Sequence, residues 1–407
     1  MKSDLPLDFF LERTQRLMKR INNPEKQFKA IHVAGTSGKG STSAMIYSLL
    51  LQDQKNVGLY LSPYVSVPTE NIHVNGSLVA PDAFADAIEQ VRPVIEDIEQ
   101  EDPEWMPSYA EIFFAVALIH FSSMGVEWLV IETGCGGRYD KTNVFDAPLV
   151  CVLTNVSLDH TALLGETECE IADHKAGIIK PGALLFSSET RADVRDVFNA
   201  EATKVGAEIS YIAPTEHYDT AMPGEHQQWN ANLAASVGAA LGVPLPTIRA
   251  GIAEARLPAR VELMQDRPRV IIDGAHSPAK IASLVEALET LRPWKKLHLV
   301  FAVKETKQPL DLLTPLLPFA DSVTVTNFIL PGFRSHEARG IVDDVMQKHP
   351  TTSISVETDS ARALEHVLAT AAKDDIVLIT GSLYLAGELR QHWISNEQIL
   401  TSRSSFI

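Results

Sequence analysis

The chain has 407 residues, 45% hydrophobic and 21% charged, with a formal net charge of −17. That is ordinary globular composition, long enough for two or three domains. The acidic balance argues against general affinity for nucleic acid or an anionic membrane, while leaving room for a local basic pocket. Three cysteines (Cys135, Cys151, Cys169) give no paired framework and no CxxC, so a reducing compartment, the cytoplasm, is expected. The start of the chain lacks an apolar signal core, and no run of about 18 apolar residues predicts a membrane span.

In chain order, the first predicted element is a helix over Pro6–Asn22. The strand "FKAIHVAG" follows, and it runs into the turn "GTSGKGST" and a helix over Ser41–Gln52. "NVGLYLSP" is a second strand, helices span Pro81–Gln100 and Ala110–Met124, and "EWLVIETG" and "PLVCVLTNV" are further strands. A second set of strands, "PRVIIDG", "KLHLVFAV", "DSVTVTNF" and "DIVLITGS", lies beyond Glu254–Arg269, where a helical stretch ends in prolines and polar residues. Apolar β-branched runs alternating with helices predict an α/β fold of mostly parallel sheets. The expected domains are 1–259 and 260–407.

The turn after the first strand has the parts of a phosphate cradle. Glycines allow close backbone approach, the helix start offers unpaired N–H groups, and Lys39 can reach β- and γ-phosphates. Ser41 or Thr42 can ligate Mg²⁺. The turn departs from the general pattern G-x-x-x-x-G-K-S/T, because Val33 takes the place of the first glycine and Gly40 follows the lysine. Glu132 ends a strand, where a carboxylate can hold Mg²⁺. The glycines at 134, 136 and 137 could also open a dinucleotide fingerprint, but "RYDKTNVFDAP" does not continue as an amphipathic helix. Asp159 and His160 follow another strand end, and His160 is a metal-ligand candidate. Asp273 and His276 lie just past a strand of the second set, in what could equally be an Asx turn. Gly381 and Ser382 form a further strand-to-helix turn.

These segments in order resemble the folylpolyglutamate synthase/dihydrofolate synthase family of the Mur ligase superfamily. "GTSGKGST" resembles that superfamily's loop G-T-x-G-K-G-S/T, which accounts for both departures. "LSPYVSVPTENIHVNG", "ETGCGGRYDKTNV", "SLDHTALLGET", "DHKAGIIKPG", "HQQWNA", "DGAHSP" and "GSLYLAGELR" resemble its further motifs. The resemblance implies an N-terminal P-loop ATPase-like domain and a C-terminal Rossmann-like glutamate-ligase domain. It also implies the use of ATP and two Mg²⁺ ions to join L-glutamate to a folate or dihydropteroate carboxylate through an acyl phosphate.

The same resemblance assigns roles. Thr36, Ser37, Gly38, Lys39, Gly40, Ser41 and Thr42 would hold the phosphates. Ser41, Ser62 and Glu132 would surround the first Mg²⁺, and His160 would help to bind the second. Lys175 would be carbamylated, Asn230 and Arg260 would contact ATP, and Asp273 and His276 would close over the reacting groups. A monomer is implied. Asn71, His174, Ser277, Thr306 and Gln308 stand where the family pattern has other residues. Competing readings are a Mur-type ligase with a non-folate acceptor, a non-catalytic ATP-binding homologue, and a dinucleotide-dependent oxidoreductase.

Overall fold

The computed structural model describes residues 6–330 and 332–406. Residues 1–5, 331 and 407 of the expected domains lie outside them. Two compact units emerge: one of Met1–Tyr64, Pro68–Ala221 and Gln227–Arg256, the other of Val65–Val67, Met222–His226 and Leu257–Ile407.

The first unit is built on eight strands. They are β1 (Lys29–Ala34), β2 (Val57–Tyr60), β3 (Ile72–Val74), β4 (Ser77–Leu78), β5 (Trp128–Glu132), β6 (Val150–Leu153), β7 (Leu184–Ser187) and β8 (Ile209–Tyr211). Their order is β4-β3-β2-β5-β1-β6-β7-β8. All pairings are parallel except β2–β3 and β3–β4, where Asn75-Gly76 turns the chain back on itself. The central strands are buried throughout, as a sheet covered on both faces requires. In the helix Tyr109–Ser123 seven apolar side chains are buried around most of its circumference, as a helix enclosed in the core requires. Its start is fixed by a capping box between Ser108 and Glu111.

In the second unit, β9 (Glu262–Asp266), β10 (Arg269–Ile272), β11 (Leu297–Phe301) and β12 (Ser322–Val325) precede a small hairpin, β13 (Ile329–Leu330) and β14 (Phe333–Arg334). β15 (Ile354–Val356) and β16 (Ile376–Thr380) complete the set. The sheet order is β15-β12-β11-β16-β10-β9, parallel except at β9. Both units are thus α/β layers on mostly parallel sheets. Among the described residues no helix is long and apolar enough to cross a membrane.

Position follows from topology. β1 lies between β5 and β6, so the connections leave it on both sides. Ligands of such sheets bind outside the carboxyl ends of the strands at that point. The carboxyl ends of β2, β5, β1 and β6 carry Ser62, Glu132, the glycine loop and Thr154–His160.

Candidate active site

The glycine loop is held from below by the chain that follows β6. Thr36 N–H donates to the Asn155 carbonyl at 2.8 Å, and Ser37 N–H to Asn155 Oδ1 at 3.1 Å. Thr154 Oγ1 donates to the Ser37 carbonyl at 2.7 Å. Thr36 Oγ1 donates to the Ser157 carbonyl at 3.1 Å and accepts from Ser157 N–H at 3.0 Å. Gly35 and Gly38 have φ of +152° and +83°, and a side chain on either would collide. A Cβ on Gly35 would stand 1.6 Å from Thr154 Oγ1, and one on Gly38 2.4 Å from Asn230 Oδ1. The helix Lys39–Gln52 starts directly from Gly38 without a side-chain cap. Its first N–H groups and the positive end of its dipole are therefore open to an anion. Lys39 Nζ lies over the loop, donating to the Thr36 carbonyl at 3.4 Å.

Thr42 and Asn230 play a different part from Lys39. Thr42 is fully buried, and its hydroxyl donates to Asn230 Oδ1 at 3.3 Å. Asn230 Nδ2 donates to Gln227 Oε1 at 2.9 Å, and Gln227 Nε2 reaches Ser41 Oγ at 3.4 Å. This chain of amides props the helix start and orients Ser41.

Ser62 N–H donates to Glu132 Oε2 at 3.2 Å, while Ser62 Oγ is buried without a hydrogen-bond partner. A buried hydroxyl so placed is available to an incoming group. Lys175, on the helix Glu168–Ala176, is 3% exposed and its Nζ donates to the Gly35 carbonyl at 2.9 Å. The capping box of Thr167 and Glu170 sets that helix. His160 sits at φ +54°, with Nε2 3.9 Å from Asp159 Oδ1. Its side chain is 53% exposed, so it faces outward from the loop. Among the described residues no group of three or more His, Cys, Asp or Glu side chains could hold a metal by itself. The oxygen donors of Ser41, Ser62 and Glu132 suit Mg²⁺ sharing its shell with phosphate oxygens, and the unpartnered Ser62 hydroxyl fits that use.

In the second unit, Asp273 accepts N–H groups from Val261 at 2.9 Å and Ala275 at 2.8 Å. Burial raises its pKa against the opposing pull of Arg260. Arg260 is flanked by Ala259 and Val261 at φ +54° and +48°. Positive φ is strained for a β-branched valine, and the hydrogen bond to Asp273 helps hold it. His276 Nδ1–H donates to the Gly274 carbonyl at 2.7 Å, leaving Nε2 to accept from Lys280 Nζ at 2.9 Å. Ser382 Oγ accepts Tyr384 N–H at 3.1 Å and so caps the helix Leu383–Arg390.

Sequence reasoning missed Thr154 and Asn155, which brace the loop, and Gln227, Lys280 and Lys141. The first two lay in the quoted "PLVCVLTNV" and could have been noted as hydrogen-bonding residues at a strand end.

Residues 259–383 match the family model for the glutamate ligase domain of Mur ligases. A dihydrofolate synthase/folylpolyglutamate synthase of Bacillus subtilis is 31% identical over 94% of this chain and 94% of its own. A folylpolyglutamate synthase of Mycobacterium tuberculosis, solved with ADP and AMPPCP, superposes with a TM-score of 0.85 at 28% identity, covering 94% of this chain and 95% of that one. An E. coli FolC in complex with DHPP and ADP gives 0.82 at 25% identity, covering 94% and 93%.

Proposed function

The chain belongs to the folylpolyglutamate synthase/dihydrofolate synthase family of ATP-dependent glutamate ligases, and from that premise we propose how its own residues carry the reaction. The supporting observation is one convergence: the glycine loop with Lys39, the Ser62–Glu132 pair and buried Lys175 all stand at the carboxyl ends of adjacent strands or on the loop itself.

A carboxylate does not acylate an amine at neutral pH. An oxygen of the acceptor carboxylate therefore attacks the γ-phosphorus of ATP, and ADP leaves. Glutamate's amine attacks the resulting acyl phosphate, loses a proton, and expels inorganic phosphate. That phosphate carries one oxygen of the original carboxylate. Lys39 and the N–H groups at the start of Lys39–Gln52 stabilise charge on the transferred group. Ser41, Ser62 and Glu132 would hold one Mg²⁺ and His160 would help hold a second, supplying charge neutralisation when bound. Carbamylation of Lys175 would replace a buried ammonium by an anion that favours the metal site. Asp273 orders the turn that carries Arg260, which would contact ATP, and His276, its tautomer fixed by the Gly274 carbonyl, helps hold the neighbouring turn. The acceptor is a pterin-bearing acid, dihydropteroate or a folate, and the three free cysteines suit a reducing cytoplasm.

The test is isotopic. With an acceptor labelled by ¹⁸O in its reacting carboxylate, one labelled oxygen appears in the released phosphate for each amide formed. Unlabelled phosphate with labelled amide would rule out the acyl phosphate.

A further inference from the structure

Lys141 lies in the loop after β5, at a position the family motif leaves variable. A Cβ on Gly134 would stand 2.7 Å from Lys141 Nζ, 3.1 Å from Asp140 Oδ2 and 3.6 Å from Ser62 Oγ. The missing side chain of Gly134 thus lets an ammonium, a carboxylate and an unpartnered hydroxyl face one small space. Tyr60 borders the ammonium, with its ring centre 5.9 Å away.

The neighbouring carboxylates are engaged elsewhere. Asp140 Oδ1 accepts from Thr142 N–H at 2.9 Å and Thr142 Oγ1 at 2.6 Å, and Oδ2 from Cys135 N–H at 2.9 Å. Thr142 spends its proton on Asp140, so buried His32 must donate to Thr142 through Nε2–H, at 2.9 Å. Burial holds His32 neutral, with its pKa down to about 3. Glu111 accepts from Arg13, Thr14 and Ser108. Among the described residues nothing hydrogen-bonds Lys141 Nζ or pairs with it at contact distance. Burial opposes its charge, but Asp140 and the groups around it keep it protonated above the ordinary lysine range.

We infer that Lys141 is a binding residue for the acceptor, taking the carboxylate that is to be phosphorylated and setting it beside Ser62. This rests on the proposed function. The reaction must bring one anion against a triphosphate, and a half-buried cation next to the Ser62–Glu132 pair offsets that repulsion. The site therefore selects acceptors with a free carboxylate, and the His32–Thr142–Asp140 chain positions the loop that presents Lys141.

The experiment uses the full chain with tetrahydrofolate monoglutamate and dihydropteroate. KM for acceptor, ATP and glutamate is measured for wild type, Lys141→Ala and Lys141→Arg. Competitive inhibition by the acceptor's carboxamide analogue is measured alongside. A charged hydrogen bond lost to a carboxylate raises acceptor KM in Lys141→Ala about 10-fold or more, with KM for ATP within about twofold and most of the loss recovered in Lys141→Arg. Wild type prefers acid to amide, and Lys141→Ala loses that preference. Unchanged acceptor KM, a retained acid preference, or a parallel rise in all three KM values with a lowered Tm overturns the assignment. A wild-type chain that ligates neither acceptor overturns the proposed function instead.

Discussion

The polar groups of the two units are used in opposite ways. At the strand ends of the first unit, the Ser62 hydroxyl and the Lys141 ammonium are left without hydrogen-bond partners among the described residues, around glycines that cannot carry side chains. In the second unit Asp273 and His276 close on their own chain, although Ser277 Oγ, Thr380 Oγ1 and Arg390 Nη1 are buried there without hydrogen-bond partners among the described residues. Both oxygens of Asp273 take backbone N–H groups, and both ring nitrogens of His276 are engaged. Arg390, fully buried, pairs with Glu262 at 2.8 Å and with the Ser405 carbonyl. The first arrangement is built to receive charge from outside, and the second holds a turn in shape. Substitutions in the first should therefore cost activity with little stability, and substitutions of the closed pairs the reverse.

The sharpest break would come at Lys39. Lys39→Ala should reduce acceptor-dependent phosphate release about a thousandfold or more while leaving the unfolding midpoint nearly unchanged. An active variant would remove the phosphate role of the loop. Lys175→Ala should lose about a hundredfold, and short carboxylic acids should restore part of it by standing in for the carbamate. Full activity without them would end that reading.

Arg390→Met tests the other side. It leaves Glu262 buried beside an apolar chain, and breaking such a pair costs about 3–5 kcal/mol. Denaturant unfolding of the second unit should shift accordingly. A shift within experimental error would show that the pair does not hold the turn.

The smallest effect is one of pH. Burial lowers the pKa of His73 and His226 from 6.5 to about 4 and that of His32 to about 3. The unfolded chain therefore binds more protons below pH 6.5. The stability these neutral histidines contribute is present above that value and is lost as pH falls towards their folded pKa values. Unfolding midpoints should fall between pH 6.5 and 4, and His73→Gln should flatten part of that slope. A flat profile in the wild type would show that these histidines titrate normally.

Much of the site was legible because its chemistry lies in contiguous loops at strand ends. "GTSGKGST" and "ETGCGGRYDKTN" each carry their glycines and charged residues within one turn. What sequence could not give was direction. Thr42 stood beside Ser41 as an equal candidate for metal, but its helical position turns its hydroxyl inward to Asn230. Lys141 drew no role from its motif position, because the bare Gly134 that makes room for its ammonium counts only in three dimensions. In the fold, β7 and β8 were missed because they are short, although Pro181-Gly182 marks the turn before β7. The three-residue β15 is only half-buried, and its Ile354-Ser355-Val356 alternation is too short to stand out. The β3–β4 hairpin was hidden inside a stretch read only as a motif, although Asn75-Gly76 marks its turn.

The central claim, glutamate ligation to a pterin acid, is tested most directly by one side-by-side assay. The purified chain is incubated with ATP, Mg²⁺ and L-glutamate, and with dihydropteroate or tetrahydrofolate monoglutamate, and both ADP and glutamylated product are counted. The account predicts one ADP per amide formed with at least one acceptor, and none when acceptor or glutamate is left out. ADP release without amide, or no turnover with either acceptor, would contradict it.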